Sequence, residues 1–227
     1  MRRRGWQAMF LSMRRPLAKA LGVVACVWLL GPAWPVPASA EIASASSSAP
    51  APEAGLEGLQ LVAALRRGGY VVYFRHTATD FSRDDSRMTG YADCEHQRPL
   101  TDQGRRDAAA IGTALRALGL PVTEAYASPF CRTLEHARLM LIEVTPRPEI
   151  REAQGGDYDG LKQLLAAPVA AGGNRWIVGH GIPFRTVAGP PQLAEGEAVV
   201  IRPGTTGWTV VARLQAGDWQ ALAAGAR

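Results

Sequence analysis

Histidine and cysteine are scarce in this 227-residue chain, with four and three copies respectively. No two histidines stand at a spacing such as His-x-x-x-His, and no carboxylate pattern completes a shell around them, so a histidine-built metal site is a poor reading. Positive charge is also scarcer than the formal net charge of +5 suggests. Six of the 25 basic residues (Arg2, Arg3, Arg4, Arg14, Arg15 and Lys19) lie before residue 20, and from Glu41 onward 19 basic residues face 20 acidic ones. The remainder therefore lacks the basic field that grips nucleic acid. Long apolar runs are missing too. The longest, Ala20 to Leu30, is about half the ~20 residues needed to cross a bilayer. No internal repeat interrupts the chain. A hydrophobic share of 47% and a charged share of 20% are those of a packed domain, not of a disordered one.

The amino-terminal 40 residues have the three parts of an export signal: a basic stretch ending at Lys19, the apolar run, and Ala38-Ser39-Ala40 as a small-x-small cleavage site. Removal after Ala40 is expected, which leaves no stable membrane span and places the protein in the periplasm or outside the cell. Arg14-Arg15 leaves twin-arginine export open beside the general route. Residues 41–54, rich in Ala, Ser and Pro, read as a flexible tether, and the folded domain as 55–227. Loss of the leader takes Cys26 with it. Cys94 and Cys131 remain, and in an oxidising compartment an even pair suggests one disulfide, against the alternative of two buried thiols.

Helical and extended patterns alternate through the domain. Leu56, Leu59, Val62 and Leu65 recur at helical spacing until Gly68-Gly69 stops them, and Tyr70 to Phe74 is a continuous apolar run. Thr101 is a plausible N-cap for a helix over Gly104 to Leu118. Ala125 to Ala127 reads as a strand, Phe130 to Ile142 as a helix, Asp157 to Ala166 as a short helix and Trp176 to Val178 as a buried strand. Ala198 to Ile201 and Trp208 to Leu214 read as a hairpin or edge pair. The expected class is α/β, a three-layer sandwich around a mostly parallel sheet.

Two of these strands run straight into histidines: Val71-Val72-Tyr73-Phe74-Arg75-His76-Thr77 and Trp176-Ile177-Val178-Gly179-His180-Gly181. In open α/β sheets ligands bind beyond the carboxyl ends of strands, where strand order reverses. A third segment, Ser128-Pro129-Phe130-Cys131-Arg132-Thr133, puts Arg132 at a helix start, where backbone N–H groups already favour an anion. Arg75 and Arg132 match a phosphoryl group with their planar forks. His76 is then placed to attack phosphorus and His180 to donate to the phosphoryl oxygens. His136 lies inside a helix pattern and reads as structural, and His96 sits in a polar stretch and reads as exposed. Asp80, Asp84 and Asp85 balance Arg83 and Arg87 as a solvated face.

Arg75-His76-Thr77, Ser128-Pro129-Phe130-Cys131-Arg132-Thr133 and Gly179-His180-Gly181, with Leu100-Thr101-Asp102-Gln103-Gly104 between them, resemble the histidine phosphatase superfamily, the group that includes phosphoglycerate mutases and histidine acid phosphatases. The resemblance covers Tyr70 to Gly181. It implies a phosphohistidine at His76, phosphate-pocket roles for Arg75, Arg132 and His180, no cofactor and no metal. Thr77 departs from the family's usual Gly, and Glu135-His136-Ala137 from its usual Glu or Gln followed by Thr-Ala. The family's proton-donating Glu stands four residues before a Gly, which by resemblance selects Glu152. Asp80, four residues after His76, is the alternative, because its loop must border the pocket. The expected function is hydrolysis of a small phosphomonoester, with a non-turning-over phosphate-binding module as the competing reading. A mutase ranks below hydrolysis, because phosphorylated glycolytic substrates are not expected outside the cytoplasm. A cysteine-nucleophile mechanism is set aside, since neither Cys131-Arg132 nor Cys94 to Arg98 forms the loop that would cradle a thiolate's substrate.

Overall fold

A computed structural model describes residues 55–152 and 157–226. The expected leader (1–40) and tether (41–54) lie outside the described residues. The strands are β1 (Val71–Arg75), β2 (Val122–Ala127), β3 (Thr145–Pro146), β4 (Asn174–Gly179), β5 (Ala198–Gly204) and β6 (Gly207–Leu214). The helices are α1 (Gly58–Arg67), α2 (Asp102–Leu118), α3 (Cys131–Leu139), α4 (Asp159–Ala166), α5 (Gly181–Ala188) and α6 (Asp218–Gly225). One sheet takes all six strands in the order β3-β2-β4-β1-β5-β6. The first four of that order are parallel, and β5 and β6 run antiparallel on the other edge.

Side-chain alternation along the central strands explains the three layers. Val72 and Phe74 of β1, Trp176 and Val178 of β4, and Ala198 and Val200 of β5 share one core with Leu61, Leu65, Ile111, Leu118, Ala137 and Trp219. Val71, Tyr73, Ile177, Val199 and Ile201 face the other way, onto Leu161 and Leu165 of α4 and Phe184 of α5. A strand covered on both faces must be apolar at successive positions, which is why β1 and β4 read as unbroken hydrophobic runs. The α/β sandwich around a mostly parallel sheet is thus the observed class.

Chain direction at the sheet centre creates the crevice. After β1 the chain passes to α2 on the first face, and after β4 it passes to α5 on the second, so the carboxyl ends of two adjacent strands open between diverging connections. Helix α2 is held close to this crevice. Thr101 Oγ1 accepts from the Gly104 amide at 2.9 Å, and a Cβ at Gly104 would lie 2.2 Å from the Ala78 carbonyl oxygen. Helix α3 stops at Leu139, three residues short of the pattern's end, because Leu141 takes φ +59°. Strands β1 and β4 run to Arg75 and Gly179, one residue further than their patterns, and β2 begins three residues earlier than its pattern.

Candidate active site

His76 and His180 are the residues that follow β1 and β4, two strands paired in register so that Arg75 lies opposite Gly179. The His76 amide donates to the Gly179 carbonyl at 3.0 Å, and the two imidazole centroids are 5.4 Å apart. That separation is close to the ~4.8 Å between neighbouring strands, so the sheet itself sets the pair's spacing. His76 Nδ1 lies 2.9 Å from the Thr77 carbonyl oxygen. A carbonyl only accepts, so Nδ1 carries the proton and Nε2 keeps its lone pair. Burial pushes the His76 pKa down to about 3, helped by Arg132 and Arg75, so the ring is neutral at ordinary pH.

His180 is fixed from behind. The buried Tyr73 hydroxyl accepts from the His180 amide at 2.8 Å and donates to the His180 carbonyl at 2.9 Å. Gly179 is required beside it, since a Cβ there would sit 2.1 Å from the Tyr73 oxygen. The ring's Nε2 is 2.9 Å from Ser128 Oγ, and Phe130 packs edge-on at 5.2 Å. Burial first, then the His76 ring and the charge of Arg132, lower its pKa well below the ordinary histidine value.

Arg132, the second residue of α3, is 2% exposed. Its two terminal nitrogens donate to the two Asp85 carboxylate oxygens at 2.9 and 3.0 Å. Asp85 Oδ1 also accepts from the Arg98 amide at 2.9 Å. These contacts outweigh the burial of Asp85 and hold its carboxyl below the usual range. Arg75 donates to the Leu193 carbonyl at 2.5 Å and stands 3.5 Å from Glu195. Among the described residues, the Nε groups of Arg75, Arg98 and Arg132 and the Thr77 hydroxyl are buried without a hydrogen-bond partner. Buried donors are ordinarily satisfied, and although His136, Trp176 and Trp219 also carry unpartnered buried nitrogens, the orphans of Arg75 and Thr77 flank His76 in sequence and that of Arg132 belongs to a residue that acts on both rings, which suits an acceptor-rich ligand there. Arg132 acts electrostatically on both rings, Arg75 on His76, and Arg98 and Arg151 on His180. Among the described residues, Asp85 and Glu195 are the carboxylates paired with those arginines, which leaves two positive charges in excess and suits a dianion.

Of the residues expected from sequence, His76, His180, Arg75 and Arg132 therefore converge. Cys94 and Cys131 are bonded to each other, with Cα atoms 5.7 Å apart. Among the described residues, no hydrogen bond joins Glu152 or Asp80 to the cluster. Glu152 is exposed and accepts from the Tyr91 hydroxyl, and Tyr91 in turn packs on Phe130 at 5.4 Å. Asp80 Oδ1 accepts from the Ser82 amide and hydroxyl, which lowers its pKa. His136 is fully buried beside Phe74, with neither ring nitrogen hydrogen-bonded among the described residues, and acts electrostatically on His76, while His96 pairs with Asp93 at 3.0 Å. Asp84 is exposed and, among the described residues, accepts from the Ser86 amide and hydroxyl alone, in keeping with a solvated face. Asp85 corrects that reading, because its carboxylate turns inward to Arg132. Asp85, Arg98 and Glu195 are the site residues that sequence reasoning missed. Among the described residues, no three His, Cys, Asp or Glu side chains gather as a metal shell, and no helix is long and apolar enough to cross a membrane.

Residues 71–177 match the family described as Histidine phosphatase superfamily (branch 1). The match spans 107 of the 227 residues, and that segment is similar to the histidine phosphatase superfamily. No curated protein matches the sequence. The chain is similar in structure to the protein histidine phosphatase SixA complexed with tungstate, at 14% identity and a TM-score of 0.49, over 66% of this chain and 98% of that one. It is also similar to YhfR of Bacillus stearothermophilus, at 22% identity and a TM-score of 0.43, over 62% and 94%. A mutant phosphoserine phosphatase from Entamoeba histolytica in complex with phosphoserine aligns at 12% identity and a TM-score of 0.46, over 65% and 97%. Likeness at this level bears on neither substrate nor mechanism.

Proposed function

We propose that the domain hydrolyses a small phosphomonoester through a phosphohistidine on His76. One observation carries the reading: His76 is buried and neutral, its Nδ1 proton committed to the Thr77 carbonyl so that Nε2 keeps its lone pair, and Arg75 and Arg132, each with a buried unpartnered Nε, act electrostatically on the ring. A phosphoryl group against those donors has its charge spread over the guanidinium edges while Nε2 attacks phosphorus. With Ser128 donating to His180 Nε2, the His180 ring proton sits on Nδ1 and is available to a phosphoryl oxygen. Glu152 protonates the leaving oxygen and then takes a proton from the incoming water, with Asp80 as the alternative. Water regenerates the free ring and releases inorganic phosphate.

Phosphate release from an aryl phosphate ester tests the reading. His76→Ala should abolish it while the circular dichroism spectrum is unchanged, and turnover retained in that variant would sink the proposal. Glu152→Gln should depress turnover of alkyl phosphates more than of activated aryl phosphates, and the same contrast in Asp80→Asn instead would move the acid role there.

The leader and the bonded cysteine pair support an exported protein, periplasmic or secreted. Amino-terminal sequencing of the mature protein should begin at Glu41. A second reading, a phosphate-binding module without turnover, is favoured by Asp85 holding the terminal nitrogens of Arg132 and by both candidate acids bonding to groups outside the histidine pair. Tight inorganic phosphate binding with no ester hydrolysis is its signature.

A further inference from the structure

We propose that Glu195 is the positioning residue that carries the positive charge of the phosphorylated His76 ring, a role that rests on the hydrolytic reading above. Its Oε1 stands 3.9 Å from His76 Nδ1, on the side of the imidazole away from the attacking Nε2. The turn that bears it is clamped onto the Arg75-His76 segment at several points. The Arg75 amide donates to the Glu197 carbonyl at 2.9 Å, the Gly196 amide to the His76 carbonyl at 3.0 Å, and the Arg75 guanidinium to the Leu193 carbonyl. Glu197 stiffens the turn further by accepting from the Ala194 amide and from Arg213, both at 2.7 Å. The carboxylate itself is aimed by Thr79, whose hydroxyl donates at 2.6 Å and whose amide donates at 3.2 Å.

The chemistry explains why a full negative charge belongs there. In the first step the Nε2 lone pair forms the N–P bond, the P–O bond to the alcohol breaks, and the leaving oxygen takes its proton from the acid. The ring keeps its Nδ1 proton, so it passes from neutral to cationic. The Thr77 carbonyl meets that charge with only a partial dipole, whereas Glu195 meets it with an ionised group in a shielded setting, its side chain 17% exposed. Arg75 lies 3.5 Å from the same oxygen, which ties the ring's counter-charge to a guanidinium of the phosphate pocket. In the second step water attacks phosphorus, the N–P bond breaks and the ring returns to neutral. Glu195 therefore favours the step that makes the phosphohistidine and does nothing to hasten its decay.

Rapid-quench kinetics with an aryl phosphate separate the two steps. Glu195→Gln should slow phosphohistidine formation by about tenfold to a hundredfold and leave the decay of the preformed phosphoenzyme no slower than in the wild type. Glu195→Asp, which keeps the charge, should recover most of the formation rate. Thr79→Val removes the hydroxyl that aims the carboxylate but not the charge, so formation should slow several-fold even where Glu195→Gln fails to fold. Unchanged formation in Glu195→Gln or Thr79→Val, or equal slowing of both steps, overturns the proposal while leaving phosphohistidine chemistry intact. A wild-type enzyme that forms no phosphohistidine overturns this role and the hydrolytic reading together.

Discussion

His76, His136 and His180 are all buried, and burial holds all three neutral, the first two with pKa values of about 3. Each folded value lies below the ordinary 6.5, so between the two the unfolded chain binds more protons. Their contribution is complete above about pH 6.5 and drains away as pH falls toward the folded values, at up to ~1.4 kcal/mol per pH unit for each ring. Urea denaturation at pH 7.5 and pH 5 should show a loss of about 2 kcal/mol per ring at the lower pH. His136→Leu removes one of the three rings and should reduce that dependence by about a third, and equal wild-type stability at both pH values would contradict the burial. Asp85 is a different case, since Arg132 is buried with it as the carboxylate partner of its fork. Asp85→Ala should lower stability by about 2 kcal/mol, short of the ~3–5 typical of a broken buried pair because Asp85 is 29% exposed on its side chain. A thermal melt measures it, and Asp85→Asn should lose less, because its amide oxygen still accepts from the Arg98 amide. Sequence reasoning found His76, Arg75 and His180 because buried strands deliver them directly, and Arg132 because it stands at a helix start. Asp85, Arg98 and Glu195 were hidden because their direction depends on how the segment 77–100 and the turn 193–197 fold back, and no periodicity records that.

Helices with a clear apolar face were legible whether or not a side chain caps them, and α5 and α6 were not. Thr101 caps α2 as its sequence suggests, and Thr101→Ala should cost about 1 kcal/mol in a denaturant titration. A loss near zero would mean the Gly104 amide finds another acceptor. Helix α5 escaped notice because Gly181-Ile182-Pro183-Phe184 reads as a turn, although Pro is tolerated in a first helical turn, where backbone amides lack intrahelical partners. Helix α6 follows the final strand in a stretch of small residues with no side-chain cap, and only Trp219 and Ala223 of it are buried. Strand β3 is two exposed residues, one of them Pro146, too short for any alternation to show. These omissions leave the site's frame untouched, because β1, β4 and the start of α3 supply the four residues that were foreseen.

Across the whole molecule the Cys94–Cys131 bond spans 37 residues and joins the loop after β1 to the first residue of α3. Gln97 adds a second tie there, its side chain accepting from the Cys131 amide at 2.8 Å and donating to the Tyr91 carbonyl at 2.9 Å. Closing a loop of this length restricts the unfolded chain by about 4 kcal/mol in the chain-entropy picture. Reduction, or Cys94→Ser with Cys131→Ser, should therefore lower stability by ~2–4 kcal/mol and raise amide hydrogen exchange over 77–100. Exchange confined to the far edge of the sheet would show that the bond does not brace the pocket. The same linkage bears on how the protein is made. Each cysteine lies close in sequence to an arginine of the pocket, so a chain synthesised in a reducing host should emerge with its sheet assembled and this clasp open. Batches from such a host should differ in specific activity according to their free-thiol content, and air or glutathione oxidation should bring them to a common value.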